Sequence, residues 1–137
     1  MVSERQPESA VSILLVEDDP AAGDLISRMI AMAFPDAVIY SAEDGLAGLE
    51  LFKKHSPRIV LTDIGMPGKS GIELAREIRS MGQGTRLIVL TAYSDKPLVQ
   101  LCREIGVEAY LLKPLNLEKL MAAIQGCLEQ IAAEGGA

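Results

Sequence analysis

The stretch RIVLT at Arg58–Thr62, followed directly by Asp63, decides the fold because it is a run of largely apolar residues that ends at an acid. A strand that is apolar on successive residues is buried on both faces, which is typical of a parallel sheet covered by helices. Runs of the same kind recur along the chain and predict four further strands. They lie at Ser12–Val16, Ala37–Tyr40, Leu87–Leu90 and Ala109–Leu112.

An amphipathic segment of helical period follows each run. Asp19-Pro20, Ser70-Gly71-Ile72-Glu73 and Asn116 have the residue types of helix starts, and a further helix is predicted from about Asp44 to Lys54. The apolar residues predicted to face the sheet are Ala22, Leu25, Ile26, Met29, Ile30, Ala33, Leu74, Ile78, Met81, Leu98, Leu101, Cys102, Ile105, Leu117, Leu120, Met121, Ile124 and Leu128. This alternation predicts a doubly wound α/β fold with five parallel strands and five helices.

The bulk composition fits one domain of 137 residues, with 49% hydrophobic and 23% charged residues. We expect a domain over residues 11–131 between flexible tails at 1–10 and 132–137. No apolar run approaches the roughly 20 residues of a membrane span, and the polar N-terminus lacks the apolar core of a secretory signal. These features predict a soluble cytoplasmic protein. The net charge of −6 disfavours direct binding of nucleic acid.

The cysteines and the histidine offer little sign of a further site. Cys102 and Cys127 lie at apolar positions of helical patterns, so we expect buried free thiols, with a disulfide as the alternative. His55 is the single histidine, and no spacing typical of a zinc site is present.

Polar side chains stand at the carboxyl ends of four predicted strands. They are Glu17-Asp18-Asp19, Asp63, Thr91 and Lys113-Pro114. Each has an ordinary explanation by itself, as a helix start, a turn hydroxyl or a surface lysine. Because ligands of doubly wound sheets bind beyond the carboxyl ends of the strands, the predicted topology instead gathers them at one edge.

Such a group of residues has the chemistry that phosphoryl transfer needs. Clustered carboxylates repel one another unless a cation neutralises them, and oxygen ligands suit Mg²⁺ or Mn²⁺. A lysine and a threonine hydroxyl can bind phosphoryl oxygens, while an aspartate serves as the nucleophile.

Four segments of the chain resemble the motifs of response-regulator receiver domains of two-component signalling. They are Leu15–Pro20 (LVEDDP), Asp63–Pro67 (DIGMP), Leu90–Ala92 (LTA) and Tyr110–Pro114 (YLLKP). The resemblance runs from about Ile13 to Leu128, with the motifs in the family's order. It implies a flavodoxin-like sheet with strand order 2-1-3-4-5.

The resemblance implies a phosphorylation site and a metal site. Asp63 would be the phosphorylated aspartate. Asp18, Asp63 and the backbone carbonyl of Gly65 would hold Mg²⁺, for which Mn²⁺ could substitute, and Glu17 would act largely through a bound water. In the family, the positions of Gly65 and Tyr93 tune how fast the acyl phosphate hydrolyses, so its lifetime stays open.

The resemblance also implies roles for three further residues. Lys113 would contact the acyl phosphate, and its bond to Pro114 would be cis. Thr91 and Tyr110 would form a switch that turns toward the phosphoryl group, although Tyr110 could also be an ordinary half-buried strand residue.

The implied function is a signalling switch that catalyses only its own phosphorylation and dephosphorylation. A histidine kinase or phosphotransfer protein would donate the phosphoryl group. The new charge would change the face built by Lys96–Ile105, Glu108–Leu112 and Asn116–Glu129, which would bind a downstream protein. The chain would be a monomer or a phosphorylation-dependent dimer. It could act alone or belong to a longer regulator or hybrid kinase.

Three other functions are less well matched by the residues. A hydrolase of the haloacid-dehalogenase type usually places its nucleophile in a DxD arrangement after the first strand and carries a substrate cap. A flavodoxin needs an anion-binding loop where Glu17-Asp18-Asp19 stand here. A phosphate relay through His55 is disfavoured because that residue lies in a predicted helix-to-strand loop.

Overall fold

The computed structural model describes residues 11–64, 70–92 and 96–135. The predicted N-terminal tail, Gly65, Tyr93 and the last two residues of the predicted C-terminal tail therefore lie outside the described residues. The strands are β1 (Ser12–Val16), β2 (Val38–Ala42), β3 (Ile59–Asp63), β4 (Arg86–Thr91) and β5 (Ala109–Leu112). The helices are α1 (Pro20–Ala33), α2 (Gly45–His55), α3 (Gly71–Ser80), α4 (Lys96–Ile105) and α5 (Leu117–Gly135).

The strands form one parallel sheet in the order β2-β1-β3-β4-β5, which confirms the predicted fold. β3 is the middle strand, and all five of its residues are buried. In the register, Val16 pairs with Thr62, Asp63 with Leu90 and Thr91 with Leu112. The carboxyl ends of β1, β3, β4 and β5 therefore lie side by side.

The sheet separates two hydrophobic clusters, because alternate residues of each strand point to opposite faces. One cluster packs against α2, α3 and α4 and comprises Leu14, Val16, Ala42, Leu49, Phe52, Val60, Leu74, Ala75, Ile78, Leu87 and Ile105. The other packs against α1 and α5 and comprises Ile13, Leu15, Ile26, Ile30, Ile59, Leu61, Ile88, Leu90, Leu120, Ile124 and Cys127.

The predicted helix starts are confirmed by side chains that accept main-chain hydrogen bonds. Asp19 accepts from the N–H of Ala21 at 3.1 Å, and Asn116 accepts from that of Lys119 at 3.1 Å. In α3, Ser70 forms a capping box with the third residue of the helix, as its spacing predicted. These caps fix where each helix leaves the site edge of the sheet.

Three apolar side chains predicted to face the sheet are exposed instead. Leu25 is 60% exposed, Leu117 45% and Met121 37%. The apolar stripes of α1 and α5 are wider than the strip of each helix that touches the sheet, so periodicity alone assigned too many residues to the core.

Several boundaries differ from the prediction by one residue, and two differ by more. β2 runs from Val38 to Ala42, beyond the predicted end at Tyr40. α5 continues to Gly135, so residues 132–135 belong to a helix and not to a separate tail after residue 131. The helix continues beyond the apolar residues from which its end was predicted, so the predicted end came too early.

Both cysteines are buried free thiols, as predicted. Burial raises the pKa of Cys102, and burial together with the charge of Glu108 raises the pKa of Cys127 to about 11. Among the helices that the structure describes, none is both long enough and apolar enough to cross a membrane.

Candidate functional site

The parallel register places the predicted site residues together at one edge of the sheet. Asp63 and Thr91 are the last residues of β3 and β4. Glu17 directly follows β1, where its N–H donates to the carbonyl of Ala42 at 3.0 Å. Lys113 directly follows β5, and its N–H donates to the carbonyl of Thr91 at 2.7 Å. Main-chain hydrogen bonds thus fix the starting point of each side chain.

Lys113 links two of the acids. Its Nζ donates to Oδ2 of Asp63 at 2.5 Å and to Oε1 of Glu17 at 2.7 Å. The other oxygen of Glu17 accepts from the N–H of Asp19 at 3.2 Å. The side chain of Glu17 is only 1% exposed and that of Asp63 12%. Both carboxylates are therefore largely removed from water, and the ammonium group lies between them.

The three predicted acidic residues lie close enough to share a cation. One carboxylate oxygen from each of Glu17, Asp18 and Asp63 lies within 4.8 Å of the others. Among the described residues, the ammonium group of Lys113 pairs with two of these three carboxylates, so negative charge is in excess there. Carboxylate oxygens with excess negative charge fit a hard divalent cation such as Mg²⁺. The acidic cluster could therefore hold a metal ion, while the role of Gly65 stays a prediction.

The two charged groups of the ion pair have shifted pKa values. Burial raises the pKa of Glu17 above its ordinary value; the hydrogen bonds from Lys113 and Asp19 oppose this, and the charge of Asp63 adds to it. Burial lowers the pKa of Lys113, but the hydrogen bonds to Asp63 and Glu17 outweigh burial, so the pKa is raised. The lysine consequently stays protonated at neutral pH.

Thr91 and Tyr110, the predicted switch residues, occupy neighbouring strands. Thr91 is 1% exposed at the end of β4. Tyr110 is half-buried on β5, where it pairs with Val89 in the register. The bond between Lys113 and Pro114 is cis, as the resemblance implied. The positions are compatible with the predicted switch, whose movement stays a prediction.

His55 lies away from the carboxyl ends of the strands. It ends α2, ahead of the amino end of β3, and its ring stacks on that of Tyr40 with centroids 4.0 Å apart. The carboxyl end of β3, where Asp63 stands, is the opposite end of the strand. The structure therefore gives His55 no place beside Asp63.

The sequence did not reveal several contacts of the residues in and around the site. Glu17 was expected to act through a metal-bound water, and its direct ion pair with Lys113 was not foreseen. The hydroxyl of Thr62 donates to the carbonyl of Asp63 at 3.0 Å. Gly71, at the start of α3, lies directly against the main chain of Asp63. A glycine at the first helical position was the one available signal of this close approach.

The chain matches the family model of the response regulator receiver domain over residues 13–125. It belongs to the receiver-domain family of two-component response regulators. The match lies within the predicted domain at 11–131 and includes every predicted site residue.

Curated relatives and solved structures agree with this family. The chain is 32% identical over 118 residues to the Probable C4-dicarboxylate response regulator DctR of Priestia megaterium, covering 86% of this chain and 52% of that protein. It is 28% identical over 136 residues to the transcriptional regulatory protein DegU of Brevibacillus brevis, covering 99% and 56%. The chain thus spans about half the length of these relatives.

A solved structure shows the same fold. The CheY-like response regulator receiver domain protein of Methanospirillum hungatei JF-1 superposes with a TM-score of 0.85 at 25% sequence identity, covering 91% of this chain and 98% of that one.

Proposed function

We propose that Asp63 accepts a phosphoryl group from a phosphohistidine of a histidine kinase or phosphotransfer protein. A carboxylate oxygen of Asp63 attacks the phosphorus and forms the acyl phosphate. The phosphorus–nitrogen bond of the donor breaks, and its electron pair returns to the imidazole nitrogen. The observation that supports this most is the position of Asp63, which belongs to an acidic cluster and accepts a hydrogen bond from the ammonium group of Lys113.

Glu17, Asp18 and Asp63 are the residues we propose to hold Mg²⁺ or Mn²⁺, together with the backbone carbonyl of Gly65. When bound, the ion supplies positive charge that offsets the charge developing on the phosphoryl oxygens. The three carboxylate oxygens lie within 4.8 Å of one another. Their mutual repulsion makes this the place where added positive charge is most favourable.

Lys113 provides the second positive charge. Its Nζ already donates to Asp63, so it lies within reach of an oxygen on a phosphoryl group attached there. Thr91, at the end of the adjacent strand β4, is proposed to donate its hydroxyl hydrogen to another phosphoryl oxygen. Tyr110 is then proposed to turn inward behind Thr91, which would carry the change to the outer face.

The downstream partner is proposed to be a protein that binds the face of Lys96–Ile105, Glu108–Leu112 and Asn116–Glu129. Three large apolar side chains on this face are exposed: Leu112 at 49%, and Leu117 and Met121 as given above. Contiguous exposed apolar patches often mark protein-binding surfaces, and Leu117 and Met121 lie one turn apart on α5. The net charge of −6 favours a protein over nucleic acid as the direct partner.

Acetyl phosphate with Mg²⁺ tests the proposal directly. Intact-mass measurement should show the addition of one phosphoryl group to the wild type and none to Asp63→Asn. Asp24→Asn is the matched control, because Asp24 is an exposed carboxylate paired with Arg28 on α1. This control should be phosphorylated normally. No adduct on the wild type, or an equal adduct on Asp63→Asn, would contradict the proposal.

A further inference from the structure

We propose that Gly71 is a positioning residue for Asp63, an inference that rests on the proposed phosphorylation of that aspartate. Gly71 is the first residue of α3. A Cβ atom added there would overlap the carbonyl oxygen of Asp63 and would lie 2.8 Å from its carbonyl carbon and 2.9 Å from Cα of Ile64. All three atoms are main chain, so no side-chain rotation relieves the overlap.

The main chain on the sheet side of this contact is held in place. Asp63 pairs with Leu90 in the register of β3 and β4, and the N–H of Ile64 donates to the carbonyl of Leu90 at 3.2 Å. The hydroxyl of the fully buried Thr62 donates to the carbonyl oxygen of Asp63. This carbonyl is the group that a side chain at residue 71 would strike.

The helix side of the contact is held as well. The capping box joins Ser70 and Glu73 through hydrogen bonds of 2.9 and 3.2 Å. Ile78, further along α3, is 1% exposed and anchors the helix in the core. The N–H of Gly71 itself donates to the carbonyl of Ile64 at 3.3 Å. A methyl group at residue 71 must therefore shift either the start of α3 or the Asp63–Ile64 main chain.

A shift of that main chain moves the reacting carboxylate. The Asp63 carboxylate must lie within 4.8 Å of two other acids and at hydrogen-bond distance from Lys113 at once. The overlap requires about 1 Å of movement in total, shared between α3 and the Asp63–Ile64 main chain. Because a displacement of about 1 Å at a reacting group can cost on the order of a hundredfold in rate, the share taken by Asp63 should cost about tenfold. Because Gly71 has no side chain, α3 can lie directly against the main chain of Asp63 and leave its carboxylate in the reactive position.

The test compares Gly71→Ala with Ile78→Ala and Gly126→Ala. Ile78→Ala destabilises the same helix without adding an atom near Asp63, while Gly126 has open space where a Cβ would go. The rate of phosphorylation by acetyl phosphate and the Mg²⁺ dissociation constant are measured on folded samples, together with urea unfolding. We expect a tenfold slower rate and weaker Mg²⁺ binding in Gly71→Ala. Both controls should stay within twofold of the wild type.

The outcomes separate this inference from the proposed function. Wild-type rate and Mg²⁺ affinity in Gly71→Ala would overturn the role of Gly71 alone, as would equal losses in Ile78→Ala. If the wild type takes no phosphoryl group, the proposed function fails, and weaker Mg²⁺ binding in Gly71→Ala would still support the positioning role. A wild type that neither reacts nor binds Mg²⁺ would overturn both.

A second variant covers the case in which Gly71→Ala does not fold. Ser70→Ala removes the capping hydroxyl and loosens the first turn of α3 without adding an atom. If that turn holds Asp63 in place, Ser70→Ala should be phosphorylated two- to threefold more slowly. An unchanged rate would overturn the proposal.

Discussion

The two ends of the sheet differ in the balance between positively and negatively charged side chains. At the carboxyl edge, formed among the described residues by Glu17, Asp18, Asp63 and Lys113, one ammonium group faces an excess of carboxylates. At the amino edge, the cluster of Arg79, Arg86, Glu108 and Glu134 contains two cations and two acids. There Arg86 forms ion pairs with both Glu108 and Glu134.

Arg79 shows how a cation of the amino edge is held by fixed partners. Its guanidinium donates to the carbonyls of Thr85, Ile105 and Gly106 at 2.9, 3.2 and 2.8 Å. Three fixed carbonyls thus accept its hydrogen bonds, and the carboxylate of Glu108 adds an ion pair at 3.7 Å. Balanced charge of this kind stabilises a fold, whereas the unbalanced charge of the carboxyl edge attracts a cation. The difference between the edges separates residues that hold the protein together from residues that are available for chemistry.

The largest expected effect comes from removing the cation of the carboxyl edge. Lys113→Met should slow phosphorylation by acetyl phosphate between about a hundred- and a thousandfold, because a preorganised charge at the reacting group is lost. Intact-mass time courses with Mg²⁺ give the rate. Lys119→Met, at an exposed lysine on α5, is the control and should react normally. A rate within twofold of the wild type in Lys113→Met would remove the lysine from the proposed chemistry.

Arg79→Met, at the amino edge, should lower the stability of the fold without slowing phosphorylation. Three carbonyls lose a charged donor, and because the side chain is 33% exposed, water replaces part of what is lost. We expect the free energy of unfolding to fall by about 2 kcal/mol, with an unchanged phosphorylation rate. Urea unfolding provides the measurement. Arg76→Met, exposed on the same helix, should change little. A slowed reaction in folded Arg79→Met would show that the two edges are coupled.

Cys127, which lies near the amino edge, predicts a pH dependence of stability. Its folded pKa of about 11 exceeds that of an unfolded thiol, which is about 8.5. The unfolded chain therefore loses its proton first as the pH rises. The stabilising contribution is complete below about pH 8.5 and disappears as the pH rises toward the folded value.

The size of this loss should be about 1 kcal/mol by pH 9.5. Urea unfolding of the wild type and of Cys127→Ala at pH 7 and 9.5, both with a reducing agent, isolates the effect. The variant should be less stable at pH 7 because a buried group is truncated, yet it should lose less stability as the pH rises. Equal losses in the two proteins would exclude the thiol as the cause.

The smallest expected effect is at the end of α5. Glu134→Gln weakens one ion pair of Arg86, but the Glu134 side chain is 59% exposed and Arg86 keeps Glu108. Exposed pairs contribute little, so we expect a loss of about 0.5 kcal/mol in urea unfolding. A loss several times larger would mean that α5 depends on this contact to remain folded at its end.

The parts of the site that were predictable are those set by chain direction. Asp63 and Thr91 end apolar runs, and parallel strands place such ends at one edge without any knowledge of side-chain contacts. The pairing of Lys113 with Glu17 was not predictable in the same way. These residues are 96 positions apart, and their contact depends on two side-chain conformations.

The errors in the fold have a similar origin. Leu25 and Met121 were assigned to the core because helical periodicity marks an apolar stripe but not its width against the sheet. The close approach of Gly71 to Asp63 depends on how α3 is seated, which no local pattern specifies. Topology was readable from the sequence, whereas packing distances required coordinates.

The sheet separates the two hydrophobic clusters, so each cluster can change in sequence largely independently of the other, in evolution as in protein engineering. Phe52 on α2 and Ile124 on α5 belong to different clusters, with the layer of strands between them. Substitutions more than about 7–10 Å apart that share no partner usually have additive effects on stability. One side of the interior can therefore be repacked while the other keeps its sequence, and a library of variants can be built one compartment at a time.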